Sequence, residues 1–514
     1  MTETKNISWR RSSPPQPLAE AGNRGAVRPL LFGFIGFLCL LVLLLVVAPS
    51  LFRPEKKKNI LLFVADALRA DRLGCYGFDR ETSPNIDRLA AGGVLFENYS
   101  TVVPTTLASF TSLFTSNYPK DHGASRNLTS PFDDLATLAG AFRDDGYETA
   151  AFISSYCLNS KFGLSRGFEI YDETLEQTTS LPDNSTVRTA GHVTDSFLHW
   201  LNSRDGDRPF FAVVHYFDPH FPYDPPEQYI GSVTTRRPKK TRGTMKDVGR
   251  AMSVLRESGG RPAEWIKDLH DLYCAEIRYM DDEIGRIAGR FRPGGPAGPE
   301  GEGEADTILL FTADHGETFW DHSDYFNHGL RVYETTTRIP LVINCPGLFP
   351  AGGVSRAALS NIDLAPALCR IAGIPVPASF RGGGAECLMA ALTLDGRADG
   401  GGDGGKDRLR FAEATMPYHA EKNARRPNYQ KAKSVRRGPW KYVEVPYLKG
   451  GGELYNLDDD PGELENLAGV PDYASIVDAL RVELWRWADD FDQRSGRSLQ
   501  INKEDADKVK QIGY

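Results

Sequence analysis

Two apolar runs about 250 positions apart end the same way, and that pairing restricts the fold more than any other feature of the chain. Asn59–Val64 leads through Ala65 to Asp66, and Thr307–Phe311 leads through Thr312 and Ala313 to Asp314 and His315. Neither run alternates apolar with polar residues, so each reads as a strand buried on both faces. Such strands belong to parallel sheets covered by helices, and ligands bind beyond their carboxyl ends. Between the runs lies Thr105-Thr106-Leu-Ala-Ser109-Phe-Thr-Ser112-Leu-Phe-Thr115, a hydroxyl-rich turn entering a helix. Two carboxylates, one imidazole and one hydroxyl suit a divalent cation with an activated oxygen nucleophile. Alone, Asp66 reads as a helix N-cap ahead of Ala67-Leu68-Arg69, and Thr105 or Thr106 as the cap of the next helix. The Asp314-His315 pair tips the balance to a metal, with Thr106 as nucleophile and Thr105 as the alternative by register.

The rest of the chain fits this frame. Strands are expected at 59–64, 149–153, 210–216, 307–312 and 340–344. Helices are expected at 84–92, 107–116, 133–144, 187–203, 264–290 and 363–372. The alternation predicts an α/β fold, a three-layer α/β/α sandwich with a mostly parallel central sheet. A Gly- and Asp-rich stretch at 396–407 reads as a linker. It separates a catalytic domain (58–395) from a smaller C-terminal α+β subdomain (408–495), with a tail at 496–514. In that subdomain Tyr442, Leu454 and Tyr455 look strand-like. Ile476, Leu480, Leu484 and Trp487 form one stripe of an amphipathic helix over 473–492.

Leu30–Ala48 carries no charge over nineteen residues, and the apolar run continues to Phe52. That is long enough to span a bilayer, and Ala48-Pro-Ser makes a poor cleavage site, so residues 30–52 read as an uncleaved membrane anchor. Residues 1–28, polar and Arg-rich, read as a disordered cytoplasmic tail. Basic residues on the two sides of the span nearly balance, so charge does not set the orientation. The 514 residues carry a net charge of −8, which argues against nucleic acid as a partner. The seven cysteines show neither metal-ligand nor tight disulfide spacing. Asn-x-Ser/Thr triplets stand at Asn6, Asn98, Asn127 and Asn184. The basic run Arg236, Arg237, Lys239, Lys240 and Arg242 reads first as a solvated loop, with a lid near an anionic substrate or a lipid headgroup surface as the alternative.

Further motifs follow in a set order: Leu68-Arg69-Ala-Asp71, Cys75-Tyr-Gly77, Thr82-Ser-Pro84, Ser112-Leu-Phe-Thr115, Tyr118-Pro119, His122-Gly123 and Gly146-Tyr147. Then come Pro209-Phe-Phe211, His215-Tyr-Phe-Asp-Pro-His220, Asp314-His315-Gly-Glu317, His328-Gly329, Tyr333-Glu334 and Asp363-Leu-Ala-Pro366. Over roughly 58–468 the chain resembles the sulfatase family of the alkaline phosphatase superfamily. The resemblance implies an alkaline-phosphatase-like fold, a metal-dependent ester hydrolase, and a catalytic domain outside the cytoplasm. It departs from many sulfatases at several places, first among them Thr106, which stands where their Cys becomes formylglycine. Ala67 replaces a second metal-binding aspartate, and His328 stands near the place of an anion-binding lysine. The site therefore resembles the Thr-nucleophile branch.

On this reading Asp66, Thr106, Asp314 and His315 hold one divalent cation, Mn²⁺ preferred and Mg²⁺, Zn²⁺ or Ca²⁺ the alternatives. Thr106, His220 and His328 are the catalytic residues, and the two histidines also contact the anionic substrate. Two metals, with Asp218, His220 and His328 around the second, is the lesser reading. His215, on an apolar strand, reads as a core histidine, and His122 and His322 are left without a role. The partners expected are a small-molecule, glycan or lipid ester and the membrane. Phosphate mono- or diesters are preferred over sulfate esters. The alternatives are a phosphoglycerol or phosphoethanolamine transferase and a non-catalytic binding protein on the same fold.

Overall fold

The computed structural model describes residues 57–127, 129–175, 187–233, 243–291, 307–322, 324–393, 405, 407–415, 431–446 and 452–489. The tail at 1–28, the apolar run at 30–52, the basic run at 236–242, nearly all of the 396–407 stretch and the 496–514 tail lie outside them. Among the described residues no helix is long and apolar enough to cross a membrane.

An eight-stranded sheet carries the site. Its strands are β1 (Asn59–Ala65), β2 (Val94–Phe96), β4 (Glu148–Phe152), β5 (Ile170–Asp172), β6 (Phe210–Tyr216), β7 (Thr307–Ala313), β8 (Leu341–Asn344) and β9 (Gly353–Ser355), while β3 (Tyr99–Ser100) pairs elsewhere with β10 (Leu359–Ser360). They lie in the order β5-β4-β6-β1-β7-β8-β2-β9, and only β8 runs against the others. The mostly parallel sheet follows from composition, since every residue of β1, β6 and β7 is buried. These three strands are neighbours, with Val64 beside His215 and Thr312. Their carboxyl ends therefore open on one spot.

The helices fall close to expectation: Pro84–Ala91, Thr106–Thr115, Ala190–Ser203, Glu264–Ala288 and Leu364–Ile371. One starts late, at Leu138 rather than 133, because the Thr137 side chain caps it by accepting from the Gly140 N–H. The Met245–Ser258 helix was not expected; a Thr244 and Asp247 capping box opens it. A four-stranded antiparallel sheet follows: β11 (Arg410–Glu413), β12 (Lys433–Arg437), β13 (Trp440–Glu444) and β14 (Gly452–Asn456). The Ala474–Asp489 helix lays Leu480 and Leu484 on it, packed with Val435, Tyr442 and Leu454. The six described cysteines are free thiols, four of them buried.

Candidate active site

Asp66 leaves β1 as its strand ends. Its N–H still bonds to the Tyr216 carbonyl of β6 at 2.9 Å, so the sheet fixes its backbone. No helix follows for it to cap. Ala67 instead takes a left-handed conformation, φ 56°, and donates its N–H to Asp314 Oδ1 at 3.2 Å. That turn, strained for a residue with a Cβ, keeps the chain from continuing as a strand. Asp314 ends β7 in the mirror role, its N–H bonded to the Ala65 carbonyl at 3.2 Å. Its Oδ1 also accepts the His315 N–H at 2.7 Å, which leaves Oδ2 for the site.

His315 is set by its tautomer. Nδ1–H donates to the Gly316 carbonyl at 2.8 Å, which puts the lone pair on Nε2. That Nε2 lies 3.5 Å from Asp66 Oδ1, 3.5 Å from Asp314 Oδ2 and 3.3 Å from the Thr106 hydroxyl. Gly316 is required beneath it: a Cβ there would fall 2.2 Å from the Thr335 carbonyl oxygen.

Thr106 opens the Thr106–Thr115 helix, whose dipole favours an anion at this end. The neighbouring Thr105 holds the N-cap position but does not cap. Its hydroxyl bonds to the Pro104 carbonyl and the Thr415 hydroxyl, both at 2.7 Å. Thr105 is thus turned away from the carboxylates, and the structure brings Thr106 to them.

Electrostatics make this spot costly as protein alone. Asp66, Asp314 and His315 are buried and offer ligand atoms all within 4.8 Å of one another. Burial pushes the Asp66 carboxyl up to about 7, against smaller lowering effects of His315 and the Thr106 hydroxyl. Burial and then the charge of Asp66 push Asp314 up to about 7 as well. Among the described residues, both oxygens of Asp66 and Oδ2 of Asp314 lack a well-formed hydrogen bond. Buried oxygens of this kind need a proton or a cation. The donor set of carboxylate oxygens, one imidazole lone pair and a hydroxyl fits a divalent cation.

Two further imidazoles stack beside it. The His328 ring lies 4.3 Å from that of His315, and His220 lies 5.1 Å from His328. His220 Nδ1–H bonds to the Phe221 carbonyl, which leaves its lone pair on Nε2. His328 Nδ1 lies 3.4 Å from Oε2 of Glu317, a buried carboxyl pushed well up by desolvation. Burial and then the nearby His315 hold His220 down to about 3, and the same causes hold His328 well below its ordinary value. All six residues singled out from the sequence, Asp66, Thr106, His220, Asp314, His315 and His328, meet at one place.

Others do not join them. Asp218 accepts the Ala190 N–H at 2.8 Å and hydrogen-bonds to Glu276, so it serves the loop rather than a second metal. His122 bonds to Ser112 at 2.9 Å, and His322 stacks on Tyr333. Asn127 is buried, and its side chain accepts the Leu107 N–H at 2.9 Å. Sequence reasoning missed Glu317 and undervalued His215. The latter is indeed buried, yet its Nε2 stands 3.6 Å from Asp66 Oδ2. The signal was there: a lone polar residue one position before the end of an apolar strand.

A family profile described as Sulfatase matches residues 58–374, and one described as N-sulphoglucosamine sulphohydrolase, C-terminal, matches 322–490. The chain is 27% identical over 366 residues to an uncharacterized sulfatase of Escherichia coli, covering 63% of this chain and 69% of that protein. It is 25% identical over 486 residues to a delta 4,5-hexuronate-2-O-sulfatase of Bacteroides thetaiotaomicron, covering 88% and 92%. Among solved structures, one in complex with its substrate D-glucosamine-2-N,6-O-disulfate superposes with a TM-score of 0.66 at 19% identity, covering 84% of this chain and 98% of that one. A phosphonate monoester hydrolase of Agrobacterium radiobacter superposes with a TM-score of 0.62 at 22% identity, covering 87% and 99%.

Proposed function

The chain belongs to the sulfatase family and is an ester hydrolase, and from that premise we propose that Thr106 is its nucleophile and phosphate mono- or diesters its preferred substrates. The observation that carries this is the Thr106 hydroxyl itself, 3.3 Å from His315 Nε2 and beside Asp66, at a helix N-terminus. A divalent cation held by Asp66, Asp314, His315 and the Thr106 hydroxyl would supply the Lewis acidity that a threonine hydroxyl lacks.

The chain's own residues do the rest. The dipole of the Thr106–Thr115 helix favours the anionic group at its N-terminus, where the Leu107 N–H is already held by Asn127. Thr106 Oγ attacks the phosphorus and the ester oxygen departs. Burial penalises charge on His220 and His328 and holds both imidazoles toward the neutral form. An anionic ester adds a negative charge beside them, so one of them can take the proton that Thr106 loses and hand it to the leaving oxygen. Water then attacks phosphorus and frees Thr106. A formylglycine sulfate ester can collapse through its own hydrated carbon. A threonine ester cannot, so water must attack the tetrahedral centre, and this favours phosphate over sulfate.

The test uses the full-length chain in detergent, loaded with Mn²⁺, on p-nitrophenyl sulfate, phosphate and a phosphodiester. Phosphodiester or phosphate turnover should dominate. Thr106→Ala should lower it at least about a thousandfold, while Thr105→Ala stays within about tenfold. Dominant sulfate turnover, or an active Thr106→Ala, would overturn the reading.

A further inference from the structure

His215 sits on β6, one residue before its end, with Val64 of β1 beside it. It is fully buried, and the ring of Phe110 meets it edge to face at 5.2 Å. Its hydrogen bonds decide where its lone pair lies. Ser154 Oγ is 2.6 Å from the His215 carbonyl oxygen and 3.1 Å from His215 Nδ1. A serine has one hydrogen to give, and the shorter contact to the carbonyl takes it. Oγ must then accept from Nδ1–H. The Ser154 backbone N–H, 3.4 Å from Nδ1, is the weaker contender for that nitrogen. The opposite tautomer would also aim an Nε2–H at Asp66 across 3.6 Å, beyond hydrogen-bond reach.

Nε2 is therefore a buried lone pair without a hydrogen-bond partner among the described residues, facing the unsatisfied Asp66 Oδ2. A lone pair opposite a carboxylate repels unless a cation lies between them. The spacing suits one: two donor atoms each about 2.1 Å from an ion at a tetrahedral angle stand roughly 3.4 Å apart. The His215–Asp66 separation, 3.6 Å, matches the two 3.5 Å separations around His315. We propose that His215 is a further protein ligand of the cation, approaching from the Asp66 Oδ2 side while His315 approaches from the Oδ1 side. Ser154 is its positioning residue, fixing the tautomer. His215 lies outside the trio whose ligand atoms all fall within 4.8 Å, so coordination draws its ring toward them. The inference rests on the metal reading above and extends it.

The experiment strips the full-length chain of metal and titrates it with Co²⁺. Affinity is read by equilibrium dialysis and ligand field by visible d–d absorption, with near-UV circular dichroism to confirm folding. His215→Ala should weaken Co²⁺ binding at least about tenfold and change the d–d bands, and Ser154→Ala should do so to a smaller extent. His215→Gln, which keeps most of the volume, stands in should the alanine variant not fold. Wild-type affinity and an unchanged spectrum in folded His215 variants would overturn the proposal. If Asp314→Asn loses Co²⁺ while the His215 variants retain it, this inference fails and the metal site stands. If the wild-type chain binds no Co²⁺, both fail.

Discussion

At the scale of single residues, Asp314 divides its labour between two oxygens. Oδ1 ties together the turns after β1 and β7 by accepting the Ala67 and His315 N–H groups, while Oδ2 points into the site. Both Asp66 and Asp314 are raised by burial to about 7, above their value in the unfolded chain. A raised carboxyl stabilises the fold while protonated, and that stability is lost as pH rises through about 7. A cation needs the ionised forms. The rise in melting temperature on adding Mn²⁺ should therefore be small near about pH 5.5 and grow through about pH 8. The stabilisation by Mn²⁺ should reach about 2.7 kcal/mol at a hundredfold excess over Kd. In Asp314→Asn the amide oxygen can keep both backbone bonds while one charge is gone. The metal-free variant should melt above wild type at about pH 8, and its response to Mn²⁺ should collapse. Differential scanning calorimetry checks both; a Mn²⁺ shift that does not vary with pH would count against the carboxylate pair.

At the scale of elements, three neighbouring strand ends carry the candidate site, and helices steady the loops beyond them. The Glu264–Ala288 helix grips the loop after β6 through Glu276, which hydrogen-bonds to Asp218 and accepts the Asp224 N–H. Burial raises Asp218 to about 6 and, together with the charge of Asp218, raises Glu276 well above its ordinary value. The pair is at its best holding a proton, and its stability is lost as pH rises through the folded values. Glu276→Gln supplies the hydrogen permanently. It should match wild type near about pH 5 and exceed it by about 1 kcal/mol near pH 9 in urea unfolding. Equal stability at both pH values would show that the two carboxyls do not share a proton.

These elements also show what the sequence could reveal. The strands ending at Asp66 and Asp314 were legible because unbroken apolar runs leave few alternatives. The placement of Thr106 was legible because its hydroxyl-rich turn precedes a clear helix. The short strands β2, β5 and β9, three residues each, were not, since their pairing depends on partners distant in sequence. The role of His215 was hidden for a similar reason. Periodicity says that a strand residue is buried, but not that the buried neighbour across the sheet is a bare carboxylate.

At the scale of the whole molecule, the apolar run at 30–52 bears on where this hydrolase works. We propose that it anchors the chain in a membrane with the catalytic residues on the non-cytoplasmic side, on the strength of a charge-free stretch of bilayer length. The full chain should sediment with membranes, resist carbonate extraction, and yield to protease added outside intact cells. Release by carbonate, or protection from the protease, would sink the anchor or its orientation respectively.

The smaller sheet reaches back into the site. Thr415, just past β11, donates its N–H to the Gly329 carbonyl at 2.8 Å beside His328, and its hydroxyl holds that of Thr105. Trp487 of the Ala474–Asp489 helix stacks on Phe411 and meets Tyr118 edge to face. On the ribosome this contact sets a timetable. The nascent chain displays every proposed cation ligand once His315 has emerged, but Thr105, next to the proposed nucleophile, must wait a further hundred residues, until Thr415, for its brace. The turn proposed to do the chemistry therefore gets its brace only after the rest of the candidate site has been made.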